Sequence, residues 1–212
     1  MRTDDLIAGL SARLEPVPAG AVPRLFLAIL GLGLAGSVAL MLLALGPRPD
    51  LAKAIVSFGM WTKLAYTFAL AGFGLWLVER LGRPGAPATA PALMLALPVL
   101  VLVILSGMQM AQPGADTHAL MMGHSADVCA LNIVLVAAPS LVAVFWALRR
   151  MAPTRLGLAG AGAGLLAGAA GAFVYCFHCT ESTAPFIAIW YTLGIGLTTA
   201  MGGFLGRWAL RW

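Results

Sequence analysis

Six long apolar runs constrain this chain more than any other feature of its sequence. Each reaches the roughly 17 to 25 residues that an α-helix needs to cross about 30 Å of hydrocarbon. The runs are Leu25 to Leu45, Ile55 to Val78, Leu93 to Met110, Val128 to Leu148, Leu156 to Tyr175 and Pro185 to Leu205. They are continuous and rich in Leu, Ala and Gly, whereas barrel strands alternate apolar and polar residues. The sequence therefore predicts an all-α polytopic membrane protein, a six-transmembrane-helix bundle.

The distribution of basic residues predicts which side of the membrane each loop occupies. Short loops with an excess of Lys and Arg remain in the cytoplasm. Ten of the 13 basic residues fall on one side of a six-span topology, namely Arg2, Arg13, Arg24, Arg80, Arg83, Arg149, Arg150, Arg155, Arg207 and Arg211. Both termini are therefore predicted to be cytoplasmic. The net charge of +5 reflects this topology, and the chain has no basic run that predicts direct binding to nucleic acid.

Residues 1–24 form a predicted cytoplasmic segment, and residues 25–212 form the six-helix domain. A hydroxyl and two carboxylates, of Thr3, Asp4 and Asp5, favour the start of a helix. An apolar stripe then recurs at helical spacing, at Leu6, Ile7, Leu10 and Leu14. So short a helix needs a surface to rest on, either the headgroup layer and bundle or the groove of a partner protein. The carboxylates of Asp4 and Asp5 favour the partner, since they suit an anionic membrane poorly.

All cysteines and histidines fall on the side opposite most of the arginines. They are Cys129, Cys176, Cys179, His118, His124 and His178. Thiolate and imidazole groups select copper(I), zinc and similar thiophilic ions. We predict an outward-facing metal site of Cys129 and Cys179, supported by His178, His124 and Cys176. Two alternatives stay open, a disulfide in an oxidising compartment and a buried free thiol.

Two further features lie within the predicted spans. Lys63 is an ionisable residue in the second span, and we expect it to snorkel to the outer boundary, two turns away. Gly160, Gly164 and Gly168 recur every four residues in the fifth span and favour close helix packing. We predict that these glycines pack against another helix of the same bundle. Packing against a second copy of the chain is the alternative, so a homodimer stays open.

Several short motifs occur together along the chain, namely Thr3 to Ile7, Arg48-Pro49-Asp50-Leu51, Cys129, His178-Cys179-x-Glu181, Trp190-Tyr191 and the closing Gly206 to Trp212. In this combination they resemble the NrsF family, six-span inner-membrane anti-sigma factors of Gram-negative bacteria. The resemblance implies that the amino-terminal segment holds an extracytoplasmic-function sigma factor at the membrane until a periplasmic signal arrives. It also implies an association with heavy-metal stress, with Cys129 and Cys179 as the sensing groups. Cys176 is an addition to the family pattern.

These observations predict a regulator and not an enzyme. No cofactor is expected to be permanently bound, and the regulatory signal is a copper, zinc, cadmium or chromium species, or oxidation of the thiols. A metal or small-molecule transporter is the alternative, weakened by the shortage of polar groups deep in the helices. A membrane thiol oxidoreductase, resting on Cys176-x-x-Cys179, is the third class.

Overall fold

The computed structural model describes residues 3–12 and 21–211, and these residues form helices and connecting loops without a strand. The helices are α1 (Thr3–Ser11), α2 (Ala21–Ala44), α3 (Leu51–Ala54), α4 (Phe58–Leu81), α5 (Thr89–Met94), α6 (Ala96–Met110), α7 (Thr117–Met122), α8 (Ala126–Arg149), α9 (Leu156–Tyr175), α10 (Ala184–Phe186) and α11 (Thr192–Ala209). One π-helical turn, Ile187–Tyr191, joins α10 to α11.

Six helical segments are long and apolar enough to cross a membrane. They are Phe26–Ala44, Phe58–Leu81, Thr89–Met110, Thr117–Arg149, Leu156–Tyr175 and Ala184–Ala209. The predicted all-α, six-span fold is confirmed. The third segment is divided at Leu95, three residues before Pro98. Proline has no N–H to donate, and its ring crowds the carbonyl four residues earlier, so the division has a local cause.

The predicted amino-terminal helix is present as α1 but ends at Ser11. Leu6, Ile7 and Leu10 lie on this helix, and both Asp4 and Asp5 occupy its first turn. Leu14, the last residue of the predicted apolar stripe, lies outside the described residues.

The helix α9 is the centre of the bundle, because α4, α8 and α11 all pack against it. Its glycines face α11 so closely that a side chain would collide with backbone. A Cβ added at Gly206 of α11 would lie 2.8 Å from the Cα of Gly160, and one added at Gly164 would strike the carbonyl of Thr198. The interpretation of the glycine repeat as bundle packing is confirmed, since α11 of the same chain fills it.

The first span packs mainly against α8. Gly33 and Gly36 of α2 lie against Ala143 and Pro139, and the added Cβ at Gly36 would be 3.0 Å from the Cβ of that proline. Nearby, the buried hydroxyls of Ser37 and Ser140 are 2.8 Å apart and hydrogen-bond to each other. The carboxyl-terminal end of α2 lies beside the loop that follows α9, because the backbone N–H of Arg48 donates to the carbonyl of Phe177.

Replacement of Gly164 tests the backbone contact between α9 and α11. We expect Gly164→Ala to lower the free energy of unfolding by roughly 1 to 3 kcal/mol, the usual cost of overpacking. Gly196→Ala is the matched control, because nothing lies within 4 Å of its added Cβ. Thermal unfolding of the two purified variants in detergent measures the difference. Equal stability of both variants would contradict the proposed packing.

Candidate functional site: a paired-thiol centre

The three cysteines meet at one end of the bundle. Cys129 lies in the first turns of α8, Cys176 ends α9, and Cys179 lies in the loop that follows. All three are free and buried. The thiols of Cys129 and Cys179 lie close enough to each other for each to shift the acidity of the other. The structure therefore brings together the two cysteines that the sequence placed first.

A tight turn after α9 brings Cys179 to Cys129. The backbone N–H groups of His178 and Cys179 both donate to the carbonyl of Tyr175, each at 3.0 Å. Cys176 stays in the last helical turn, where its thiol donates to the carbonyl of Ala172 at 3.2 Å. The two cysteines of the Cys-x-x-Cys motif consequently have different neighbours, and the thiol of Cys129 acts on the second of them, Cys179.

The surroundings of Cys176 and Cys179 set the pKa values of the two thiols apart. The neighbouring thiol of Cys129 lowers the pKa of Cys179 below the ordinary range of a thiol, against the opposing effect of burial. Burial raises the pKa of Cys176 to about 11. Because the thiolate is the nucleophile and the metal ligand, Cys179 is the more reactive of the two.

Tyr191 closes the site from the π-helical turn. Its side chain is fully buried beside the thiols, and its hydroxyl has no well-formed hydrogen bond. A buried hydroxyl without a partner costs about 1 to 3 kcal/mol. π-helical turns are rare and concentrate at functional sites, so this one is consistent with a site that tolerates local strain.

The histidines do not join the thiols. The ring Nδ1 of His178 lies 2.8 Å from the carbonyl of Gly46, and its ring packs at a tilt against the ring of Tyr175. His124 is exposed, and its backbone N–H donates to a carboxylate oxygen of Glu181 at 2.9 Å. Across residues 3–12 and 21–211, no group of three or more His, Cys, Asp and Glu is arranged to hold a metal ion. A tetrahedral zinc set of the usual kind is therefore not assembled there, whereas two adjacent thiols suit a two-coordinate thiophilic ion or a disulfide.

Arg48 is a residue of this site that the predicted set of metal ligands did not include. Its guanidinium forms a two-pronged ion pair with Asp50, at 2.7 and 2.8 Å, and also donates to the carbonyls of Cys179 and Thr180 at 3.0 and 3.2 Å. The ion pair raises the pKa of Arg48 and lowers the pKa of Asp50. The signal was present in the sequence, because the Arg48 to Leu51 motif and the His178 to Tyr191 motif are the most specific parts of the family resemblance, and they contact each other.

Lys63 corrects the expectation of a snorkelling side chain. It is fully buried, and its ammonium donates to the carbonyls of Cys179 and Glu181 at 2.9 and 2.6 Å. The side chain does not extend to the aqueous boundary, because the irregular loop after α9 offers carbonyls within reach of α4. The sequence marked Lys63 as unusual but could not indicate this partner.

The fold and the site together define a polytopic membrane protein with a buried thiol pair at one end of its bundle. The chain belongs to the NrsF family, since the family model described as "Negative regulator of sigma F" matches residues 10–212. Over the full length of both chains it is 41% identical to the anti-sigma-F factor NrsF of Caulobacter vibrioides, and 39% identical to the probable anti-sigma-F factor NrsF of Azospira oryzae. No solved structure matches.

Membership of this family makes the chain an anti-sigma factor with a sigma factor as its partner. The predicted resemblance is confirmed, and so is the prediction of a regulatory protein that is not an enzyme. The transporter alternative is not favoured.

Mild oxidation tests which thiols are paired. Oxidised glutathione should join Cys129 to Cys179 in the Cys176→Ser variant as readily as in the unaltered protein, because the thiol of Cys176 points to Ala172. Cys129→Ser and Cys179→Ser should each lose the intramolecular disulfide. Mass spectrometry of unreduced peptides identifies the bond. A Cys176–Cys179 disulfide that persists in Cys129→Ser would support the oxidoreductase alternative instead.

Proposed function

We propose that this protein holds an extracytoplasmic-function sigma factor at the inner face of a bacterial inner membrane and releases it on a periplasmic signal. Residues 1–24 bind the sigma factor, and the pair Cys129–Cys179 receives the signal by binding a thiophilic heavy-metal ion or by forming a disulfide. The two relatives are an anti-sigma-F factor and a probable anti-sigma-F factor, which supports a partner of the sigma F type. The observation that carries the proposal is that Cys129 and Cys179, both free and buried, are brought together from α8 and from the loop after α9.

The use of basic residues at the thiol end supports the proposed sidedness. Arg48 and Lys63 are both buried there and donate to loop carbonyls, which leaves Lys53 as the exposed basic side chain among the described residues of that end. The opposite end carries the remaining described arginines, which are Arg24, Arg80, Arg83, Arg149, Arg150, Arg155, Arg207 and Arg211. This is the asymmetry expected when the thiol end faces the periplasm.

The first span is the physical connection that we propose between signal and partner. At its outer end, the carbonyl of Gly46 contacts His178, and the backbone N–H of Arg48 donates to the carbonyl of Phe177 at 2.9 Å. The opposite end of the same helix leads back along the chain to α1. Movement of the cysteine loop would therefore act directly on the helix that carries the sigma-binding segment.

The energy required for such a switch is within reach of thiol chemistry. A shift from 1:99 to 99:1 between holding and releasing states needs about 5.5 kcal/mol of differential binding. Structural zinc sites, which use four ligands, supply about 10 kcal/mol or more, so a site with fewer thiolate ligands needs only about half of that energy. A metal that binds both states equally would shift nothing, so the ion must bind the releasing state more tightly than the holding state.

The exposed apolar side chain of Ile7 on α1 supports a protein partner. Ile7 is 59% exposed, and Asp4 and Asp5 are exposed on the same short helix. An isolated helix of this length is marginal in water, so binding to a surface would stabilise it. The two carboxylates favour a partner with basic groups over an anionic lipid surface.

Co-purification of the sigma factor tests the signal. A tagged protein is isolated from membranes with and without copper, cadmium, zinc or chromate under reducing conditions, and a parallel sample is treated with oxidised glutathione. We expect at least one treatment to release the sigma factor from the unaltered protein and from Cys176→Ser. The double variant Cys129→Ser/Cys179→Ser should retain it throughout. Release from the double variant would exclude both forms of the signal.

The contact on α1 is tested by Ile7→Asp. A charge at this exposed position should release the sigma factor without altering insertion, because the side chain does not support the bundle. Ala12→Asp is the matched control, which adds the same charge at an exposed position just beyond the helix. Retention of the sigma factor is measured by quantitative blotting of the purified membranes. Equal retention by both variants would place the contact elsewhere.

A further inference from the structure

Lys63 is a buried cation without an acidic partner among the described residues. Its side chain has no exposed surface, and the ion pairs found in residues 3–12 and 21–211 are Arg48–Asp50 and Arg83–Glu79. An ionisable group in a spanning helix is costly, at about 2.5 to 3.5 kcal/mol on insertion scales. Such a residue is retained most readily where its charge acts on something nearby.

The groups nearest to the Lys63 ammonium belong to the cysteine loop. It donates to the carbonyls of Cys179 and Glu181, and it lies 5.9 Å from the centre of the Tyr191 ring. The carbonyl of Cys179 also accepts from Arg48 at 3.0 Å. One carbonyl therefore accepts from two cations on different parts of the chain, one in α4 and one in the loop after α2.

The first turn of α4 also supports this loop directly. Gly59 lies against Ser182, and a Cβ added at this glycine would be 2.7 Å from the Cβ of that serine and would strike its carbonyl oxygen. Because α4 is a regular helix packed on α9, it provides a rigid platform. Lys63, one turn further along the same helix, hydrogen-bonds to the loop.

We propose that Lys63 is the positioning residue that holds the loop of residues 179–181 so that the thiol of Cys179 lies against the thiol of Cys129. Lys63 touches neither sulfur through its own hydrogen bonds. Its effect passes through the backbone, since the carbonyl that it binds belongs to Cys179 itself. The inference rests on the proposed function only in taking this thiol pair as the sensing group.

The stability of the Cys129–Cys179 disulfide tests the proposal in the full-length protein. In a Cys176→Ser background, two protein thiols and one oxidised glutathione give one protein disulfide and two reduced glutathione molecules. The fraction oxidised is measured by gel shift after the free thiols are blocked with a polyethylene glycol maleimide. Lys63→Met, which removes the donor to both carbonyls, should lower the equilibrium constant about tenfold, because the loop is then less firmly held with Cys179 against Cys129. Lys63→Arg, which can donate to both carbonyls, should restore it to within about threefold.

Two further variants separate positioning from other effects. Lys53→Met removes an exposed charge from the same end of the bundle and should leave the equilibrium constant unchanged. Gly59→Ala displaces the loop without altering a charge and should reproduce the defect of Lys63→Met. Gly59→Ala also serves as the decisive variant if Lys63→Met does not fold.

The proposal is overturned if Lys63→Met keeps the unaltered equilibrium constant, or if Lys63→Arg fails to restore it. A lower melting temperature of Lys63→Met with an unchanged equilibrium constant would assign Lys63 a purely structural role and would equally overturn it. The measurement contains no sigma factor. A protein that oxidises as expected but never releases its sigma factor would therefore refute the proposed function and leave this inference standing.

Discussion

Irregular backbone near a lipid bilayer has to find hydrogen-bond donors within the protein, and the loop after α9 illustrates how this chain meets that requirement. The carbonyls of Cys179, Thr180 and Glu181 are not part of a helix, and they accept from Lys63 and Arg48. Each of these donors comes from another part of the chain. Satisfying the loop and assembling the site are therefore one event, because the donors that complete the backbone also place the thiol.

The small residues of α9 allow the neighbouring helices to come close enough for this arrangement. Glycine at positions 160 and 164 lets α11 approach until the two backbones touch, and Gly171 allows similar contact with Ala137 of α8. Close approach compensates for the weak hydrophobic drive between helices in lipid. It also draws the starts of α8 and the π-helical turn toward the end of α9, so that Cys129 and Tyr191 lie next to the cysteine loop.

The arrangement gives the thiol pair a direct relation to the first span. Arg48 and His178 hold the carboxyl-terminal end of α2 against the loop, while Ser37 and Ser140 hold the middle of that helix against α8. This first span is the one continuous with the amino-terminal segment.

The family and the packing role of the glycine repeat could be predicted from the sequence, because each depends on local composition or on a short motif. The residues favoured Cys129 and Cys179 among the thiols and the resemblance implied the same pair, although the residues alone left a disulfide and a buried free thiol open. The prediction that Lys63 snorkels was wrong. Its distance from the membrane boundary depends only on its position along α4, whereas the carbonyls that accept from it belong to the loop after α9. His178 and His124 were expected near the thiols, yet a turn of backbone directs one ring to Gly46 and leaves the other exposed.

The amino-acid sequence by itself determined the number of spans, the all-helical fold and the clustering of soft ligands at one end, since hydrocarbon thickness and ligand chemistry act on composition and spacing. Only the tertiary structure decided that Cys129 contacts Cys179 and that Lys63 and Arg48 share a carbonyl. Such contacts join residues far apart in the chain, and their geometry depends on how several helices pack at once.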